Sequence, residues 1–186
     1  MRCGSVWPIE LTGRRVRVRS LTESDLALTL QWRNHPQSRI WFKSSAVIDE
    51  ATHYVWFRSY ELAGTELMFF VETHPERRPL GQAGIYTIDP VARRAEVGRF
   101  VSDPQWRGHG LFREALVLLL EHALGPMRLT EIHLEVVREN DRAIRLYRSL
   151  GFVEVDQAGP MLRMTLDTAA FAARNEASPR HGELSG

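Results

Sequence analysis

A mixed α/β domain is the fold class this chain predicts, on three observations. Short apolar stretches with the two-residue period of strands alternate with stretches of helical period. The second half runs strand, helix, strand, helix, strand, strand. The length of 186 residues suits one domain, and 44% hydrophobic against 25% charged side chains excludes a disordered or fibrous chain.

Residues 1–13 have mixed composition and read as an irregular lead-in. Arg15-Val16-Arg17-Val18-Arg19 alternates charge and apolar bulk, as a strand with one wet face does. Thr22 or Ser24 can cap a helix reaching about Asn34, with Pro36 as its stop. Asp49 to Leu62 predicts a second helix ended by Gly64. Leu67–Glu72 and Gln82–Ile88 predict strands around the polar 74–79 loop; Asp89-Pro90 makes a turn, and Ala95–Ser102 is another strand. Gly110–Leu124 is an amphipathic helix ended by Gly125-Pro126. Glu131–Val137 follows as a strand, Asp141–Leu150 as a helix, and Phe152–Val155 and Met161–Leu166 as strands. The domain is expected over 14–167, with 168–186 as a flexible tail, a frayed helix and then disorder.

Composition excludes several function classes. The single cysteine, Cys3, rules out an intramolecular disulfide framework and a multi-cysteine metal site, and no histidine–carboxylate spacing suggests a metal. A net charge of +1 gives no reason to expect nucleic acid as a partner. The longest apolar run, Ala115–Leu120, falls far short of the ~18 residues of a membrane-spanning helix. The first residues lack an apolar signal region, so a cytoplasmic location is expected. All basic residues but Lys43 are arginine, so any lysine-centred chemistry rests on that one side chain.

The most informative segment joins the strand ending at Ser102 to the helix that begins at Gly110. A strand, a glycine-bearing loop and a helix N-terminus make an anion site, because the first N–H groups of a helix have no intrahelical partner. Gly108 and Gly110 remove the Cβ atoms that would hold a phosphate away. The spacing is neither that of a P-loop nor G-x-G-x-x-G, which counts against a nucleotide hydrolase and a Rossmann dehydrogenase. Further on, Asn140, Ala143 and Tyr147 fall on one helical face.

Q-x-x-G-x-G at Gln105, Gly108 and Gly110, followed about thirty residues later by N-x-x-A-x-x-L-Y-x-x-x-G-F at Asn140 to Phe152, resembles the GNAT superfamily of acetyl-CoA-dependent N-acetyltransferases. The resemblance implies a mixed central sheet of six to seven strands flanked by about four helices. It implies acetyl-CoA as acyl donor, with its pyrophosphate on the backbone of Arg107, Gly108, His109, Gly110, Leu111 and Phe112, and its pantetheine arm along Phe100, Val101 and Ser102. Asn140 would lie near that arm, and one or two of Arg142, Arg145 and Arg148, on a solvated face, are expected to reach the 3'-phosphate. A homodimer is the one protein partner expected.

Acetyl transfer needs a neutral amine, a stabilised oxyanion and a proton for the leaving thiolate. Tyr147, a phenol protonated at neutral pH, matches the family's general acid. Two bases stay open. Glu135, in Leu134-Glu135-Val136, resembles the base proposed for ribosomal-protein N-terminal acetyltransferases, and Glu96 sits where several family members carry an acid. His133 shares the strand face of Glu135 and is expected to be structural.

The acceptor is expected to be a small-molecule amine. Trp32-Arg33-Asn34-His35-Pro36, followed by Arg39-Ile40-Trp41, resembles a segment of amino-sugar-nucleotide acetyltransferases, including those of the pseudaminic acid pathway. A similar W-x-N-x-P occurs in aminoglycoside 6'-acetyltransferases and in ribosomal-protein acetyltransferases. Trp32 and Trp41 offer flat surface for a sugar ring, Arg33 and Arg39 bidentate partners for a phosphate, and Asn34 a restricted helix exit. The alternatives are a protein N-terminal acetyltransferase and a non-catalytic acyl-CoA-binding module. A covalent acyl-cysteine route through Cys3 has no motif to support it.

Overall fold

The computed structural model describes residues 8–156 and 159–176. Cys3 and the segment from Ser178 onward therefore lie outside the described residues. Eight strands form one mixed sheet: β1 (Glu10–Thr12), β2 (Val16–Ser20), β3 (Leu67–Thr73), β4 (Pro79–Asp89), β5 (Arg94–Ser102), β6 (Glu131–Val137), β7 (Phe152–Asp156) and β8 (Met161–Leu166). Their order across the sheet is β1-β2-β3-β4-β5-β6-β8-β7. Every neighbouring pair is antiparallel except β5 and β6. Six α-helices pack on the sheet: α1 (Leu26–Asn34), α2 (Pro36–Arg39), α3 (Glu50–Ala63), α4 (Leu111–Leu124), α5 (Asp141–Ser149) and α6 (Thr168–Glu176).

β3 shows why the sheet is covered on both faces. Phe69 and Val71 point into the larger core beneath α4, while Met68 and Phe70 point into a second cluster with Trp32, Phe57 and Tyr60 from α1 and α3. Alternation sends successive residues to opposite faces, and here both faces are apolar. α4 buries Leu111, Ala115, Leu116, Leu119, Leu120 and Ala123, a stripe of helical period against the first of these cores.

Caps fix the helix ends. Asp25 Oδ2 accepts from Thr22 N at 2.9 Å and Thr22 Oγ1 at 2.8 Å, which closes a short 3-10 turn at Glu23–Asp25 leading into α1. Asp49 accepts from Thr52 N at 2.7 Å at the head of α3, and Gly64, at φ +60°, ends that helix in the left-handed region.

Three expectations are corrected. The lead-in is not wholly irregular: Leu11 pairs with Val18, and a strand of three residues is too short to show a period. Pro36 ends α1 as expected but also opens α2, because its fixed φ suits a first helical position. The helix expected in the tail is not frayed: it runs over Thr168–Glu176, and Phe171 is buried in the main core beside Gly151. Among the described residues the sheet thus has eight strands where six to seven were expected, and the helices number six where about four were expected.

Candidate active site

β5 and β6 pair only at Arg94–Glu96 with Glu131–His133, and beyond those residues the two strands part. A bulge accompanies the parting. β4 advances from Gln82 to Gly84 while β5 runs from Val101 back to Gly98, and Arg99 takes a positive φ of 52°. A cavity of about 940 Å³ fills the opening, lined by β5, β6, α5, the loop into α4, and the segment between α1 and α3.

One end of the cavity is a loop built to present backbone. Asp103 Oδ1 accepts from Gln105 N at 2.9 Å, and its Oδ2 accepts from Trp32 Nε1 at 3.2 Å. Trp106 Nε1 donates to Pro79 O at 2.9 Å. Gly108 and Gly110 hold φ of +85° and +73°, in the left-handed region where a side chain is strained. A Cβ on Gly108 would meet nothing within 4 Å, so conformation and not crowding selects glycine there. The first backbone bond of α4 runs from Glu114 N to Gly110 O at 3.3 Å, and the preceding N–H groups are the unpartnered donors of a helix start. Arg107, Arg113 and Arg142 add positive charge at this end. Arg107 is fixed by Gln37 Oε1 at 2.7 Å and Ser38 Oγ at 3.3 Å; burial, with Arg142 nearby, lowers its pKa below the usual arginine value. The cradle fits a pyrophosphate.

Tyr147 lies on the inner face of α5 and lines the same cavity, 8% exposed. Its ring packs against Phe100 at 5.9 Å and Phe152 at 6.0 Å. Burial pushes the phenol above its ordinary value, so its proton is held through neutral and mildly alkaline pH. Asn140 caps the helix, its side chain accepting from Ala143 N at 3.2 Å, and this locks the turn that carries Tyr147.

Two carboxylates face the cavity, and both already have partners. Glu96 Oε1 accepts from the Tyr86 hydroxyl at 2.8 Å. Burial and this bond raise the Tyr86 pKa above the ordinary phenol range. Glu135 Oε2 lies 2.5 Å from Lys43 Nζ. Arg99 sits over the Tyr86 ring at 4.6 Å and pairs with Glu66, its Nη2 donating at 3.0 Å. Gln82 Oε1 is buried without a hydrogen-bond partner.

The acceptor segment is more structural than the sequence suggested. Trp32 is 3% exposed and stacks on Phe70 at 5.6 Å, so it belongs to the core and does not line the cavity. Asn34 clamps Ile48, donating to its O at 2.7 Å and accepting from its N at 2.9 Å. Arg39 Nη1 is engaged by Ser45 O at 2.9 Å. These three hold the wall without forming its surface. Arg33 and Trp41 do line the cavity; Arg33 donates to Ser44 O at 2.6 Å, sits over Phe42 at 4.1 Å, and keeps a buried Nη1 without a partner.

Among the loop residues, Gln105 bonds Asp103, His109 meets Trp106 edge-on, and Leu111 is buried in the core, so the side chains of all three stay off the lining. Of their backbone N–H groups, that of Gln105 is taken by Asp103 Oδ1 and that of His109 by Trp106 O. Phe100, Val101, Ser102, Arg107, Gly108, Gly110, Phe112 and Asn140 all line the cavity, as do Glu96, Glu135 and Tyr147.

Sequence reasoning missed Tyr86, Arg99, Gln82 and Trp56 on this lining. The Tyr86–Glu96 pairing was accessible from the Asp89-Pro90 turn, which folds β4 onto β5 and sets these residues opposite each other. No local signal marked Arg99 as a bulge residue. His133 keeps a buried Nδ1 without a partner and does not line the cavity. Among the described residues no group of three His, Cys, Asp or Glu could hold a metal ion, and no helix is long and apolar enough to cross a membrane.

Parted parallel strands and a glycine turn onto a helix start are the arrangement that the resemblance to N-acetyltransferases implies. Comparison with known proteins agrees. Residues 15–153 match the family model described as an acetyltransferase (GNAT) domain. Spermidine N(1)-acetyltransferase of Escherichia coli (strain K12) is 31% identical over 146 residues, 74% of this chain and 72% of that protein. The structure of Vibrio cholerae spermidine N-acetyltransferase with CoA and spermine superposes with a TM-score of 0.74 at 22% identity, covering 81% of this chain and 94% of that one. Apo FdhC, a nucleotide-linked sugar GNAT, superposes with a TM-score of 0.78 at 16% identity over 90% of this chain and 95% of that one. The chain belongs to the GNAT acetyltransferase family and is an N-acetyltransferase that uses acetyl-CoA.

Proposed function

We propose that the enzyme acetylates one primary amine on a small neutral or anionic molecule, an amino-sugar or sugar-nucleotide amine, by direct transfer in a ternary complex. The charge of the acceptor wall carries this reading. Arg33 and Lys43 are its cations, Glu135 is paired with Lys43, Glu96 is bonded by Tyr86, and a buried Arg33 Nη1 awaits an acceptor atom. A polyamine, cationic along its length, would meet like charge from Arg33 and Lys43, and of the two lining carboxylates only Glu96 is not already held by a cation. Trp41 and Phe42 supply flat surface beside Arg33 for a ring.

In this reading the N–H groups of Gly108 and of Gly110, Leu111 and Phe112 hold the donor's pyrophosphate, those of Arg107 and His109 being bonded within the loop, and Phe100–Ser102 offer the unpaired edge of β5 to its arm. Glu96, bonded to a phenol and free of any cation at hydrogen-bond distance, takes the amine proton directly or through water; Glu135 is the second candidate. Tyr147 gives its proton to the departing thiolate. The polyamine reading is supported by the spermidine acetyltransferases of Escherichia coli and Vibrio cholerae among the relatives.

The deciding experiment measures thiol release across amino-sugar nucleotides, aminoglycosides, polyamines and N-terminal peptides. The expected result is the highest kcat/KM for an amino-sugar or its nucleotide. Preference for spermidine or for a peptide N-terminus would overturn the acceptor assignment.

A further inference from the structure

The chain has one lysine, and that lysine is in the cavity. Lys43 belongs to the segment between α2 and α3, whose backbone is held by Arg33 at Ser44, Arg39 at Ser45 and Asn34 at Ile48. The segment is thus tied down while the Lys43 side chain, 67% exposed, reaches across to Glu135 on β6. Its Nζ therefore rests 2.5 Å from a carboxylate that shares the cavity lining with Glu96 and Tyr147. A primary ammonium held against a carboxylate, in a cavity that receives a thioester, has the chemistry of the acceptor.

We propose that Lys43 is a self-acetylation site, modified by its own active site when no better amine is present. The proposal rests on the acetyl-transfer reading of the cavity above. The ammonium loses a proton to the carboxylate, and the Nζ lone pair attacks the thioester carbonyl carbon. The C–N bond forms and the C–S bond breaks. Of the two protons that Nζ sheds, one leaves through the carboxylate to solvent and the other replaces the proton that Tyr147 gives to the thiolate. The products are N-acetyl-lysine and free coenzyme A thiol. Acetylation removes the charge at position 43, breaks the ion pair and leaves Glu135 open to an incoming ammonium.

The full chain is incubated with acetyl-CoA and no acceptor, then read by intact mass spectrometry and peptide mapping, with thiol release measured in the same samples. The expected result is one acetyl group on Lys43, absent in Lys43→Arg, slowed about a hundredfold in Tyr147→Phe, and formed at a rate per chain that does not change on dilution. No label on Lys43, or labelling as fast in Gly108→Val as in the parent chain, overturns the proposal. Thiol release to an added amine without Lys43 label overturns self-acetylation alone; absence of both overturns the transferase reading of the cavity with it.

Discussion

Asn34 grips the backbone of Ile48 with both ends of its amide, Nδ2 to O at 2.7 Å and Oδ1 from N at 2.9 Å. One side chain at the exit of α1 thereby replaces a strand partner for the segment that walls the acceptor side. Asn34→Ala leaves two backbone groups to water and is expected to cost about 1 kcal/mol of stability. The acceptor KM should rise while acetyl-CoA affinity holds, which denaturant melts, steady-state kinetics and calorimetry would check. An equal loss of acetyl-CoA binding would mean that the clamp serves the whole cavity.

Tyr147→Phe keeps the ring contacts with Phe100 and Phe152 and removes only the hydroxyl. Stability and acetyl-CoA affinity should be unchanged and kcat should fall by about a hundredfold or more. Because burial raises the phenol's pKa, the parent enzyme should show no loss of rate from Tyr147 ionisation at mildly alkaline pH. Unchanged turnover in the variant would remove the assignment.

Gly108→Val places a β-branched side chain at φ +85° with open space around it. The strain of about 1–2 kcal/mol is best relieved by turning the loop away from its left-handed conformation. Coenzyme binding, followed by calorimetry, should be abolished, with a smaller effect on folding.

The Phe171 ring, 4% exposed, ties α6 to the core. Phe171→Ala should destabilise the domain by about 3 kcal/mol, seen as a lower denaturant midpoint. A change within error would show that α6 is an appendage.

Acid should unfold the protein in two stages. Burial holds His53, His122 and His133 below the ordinary 6.5, so their neutral forms favour the fold; that contribution is present above 6.5 and is lost as pH falls through the folded values. Asp25 follows lower down. Burial alone would raise its pKa, but hydrogen bonds from Arg19 and Thr22 outweigh it and hold the carboxyl below 3.8. Its contribution is therefore present above 3.8 and lost as pH falls through the lower folded value. Denaturant midpoints against pH should show both limbs, and Asp25→Asn should flatten the second.

The parts of the fold that show in the sequence are those set by periodicity and caps. Glu131–Val137 and the α4 stripe emerge at nearly their observed bounds. β1 and α2 do not, because a three-residue strand and a single turn carry too little pattern, while the alanine-rich tail shows a helix but not its anchor in the core. At the site, Gly108 and Gly110 were legible because backbone cradles require glycine. The acceptor wall was not, because side-chain type does not tell a residue that faces the cavity from one that props it. Trp32 looked like a platform and is a core ring tied to Asp103; Lys43 stood out only as the single lysine, and it reaches β6.

The early parting of β5 from β6 has a cost for the empty enzyme. A sheet usually has unpaired backbone only along its two outermost strands, yet this one also carries it in its middle, where β5 continues past Glu96 with β4 on one side and no strand on the other. Such a row is a template for strand addition by another chain. In the proposed binding mode the donor's arm covers this row, so storage lifetime is expected to lengthen with coenzyme occupancy.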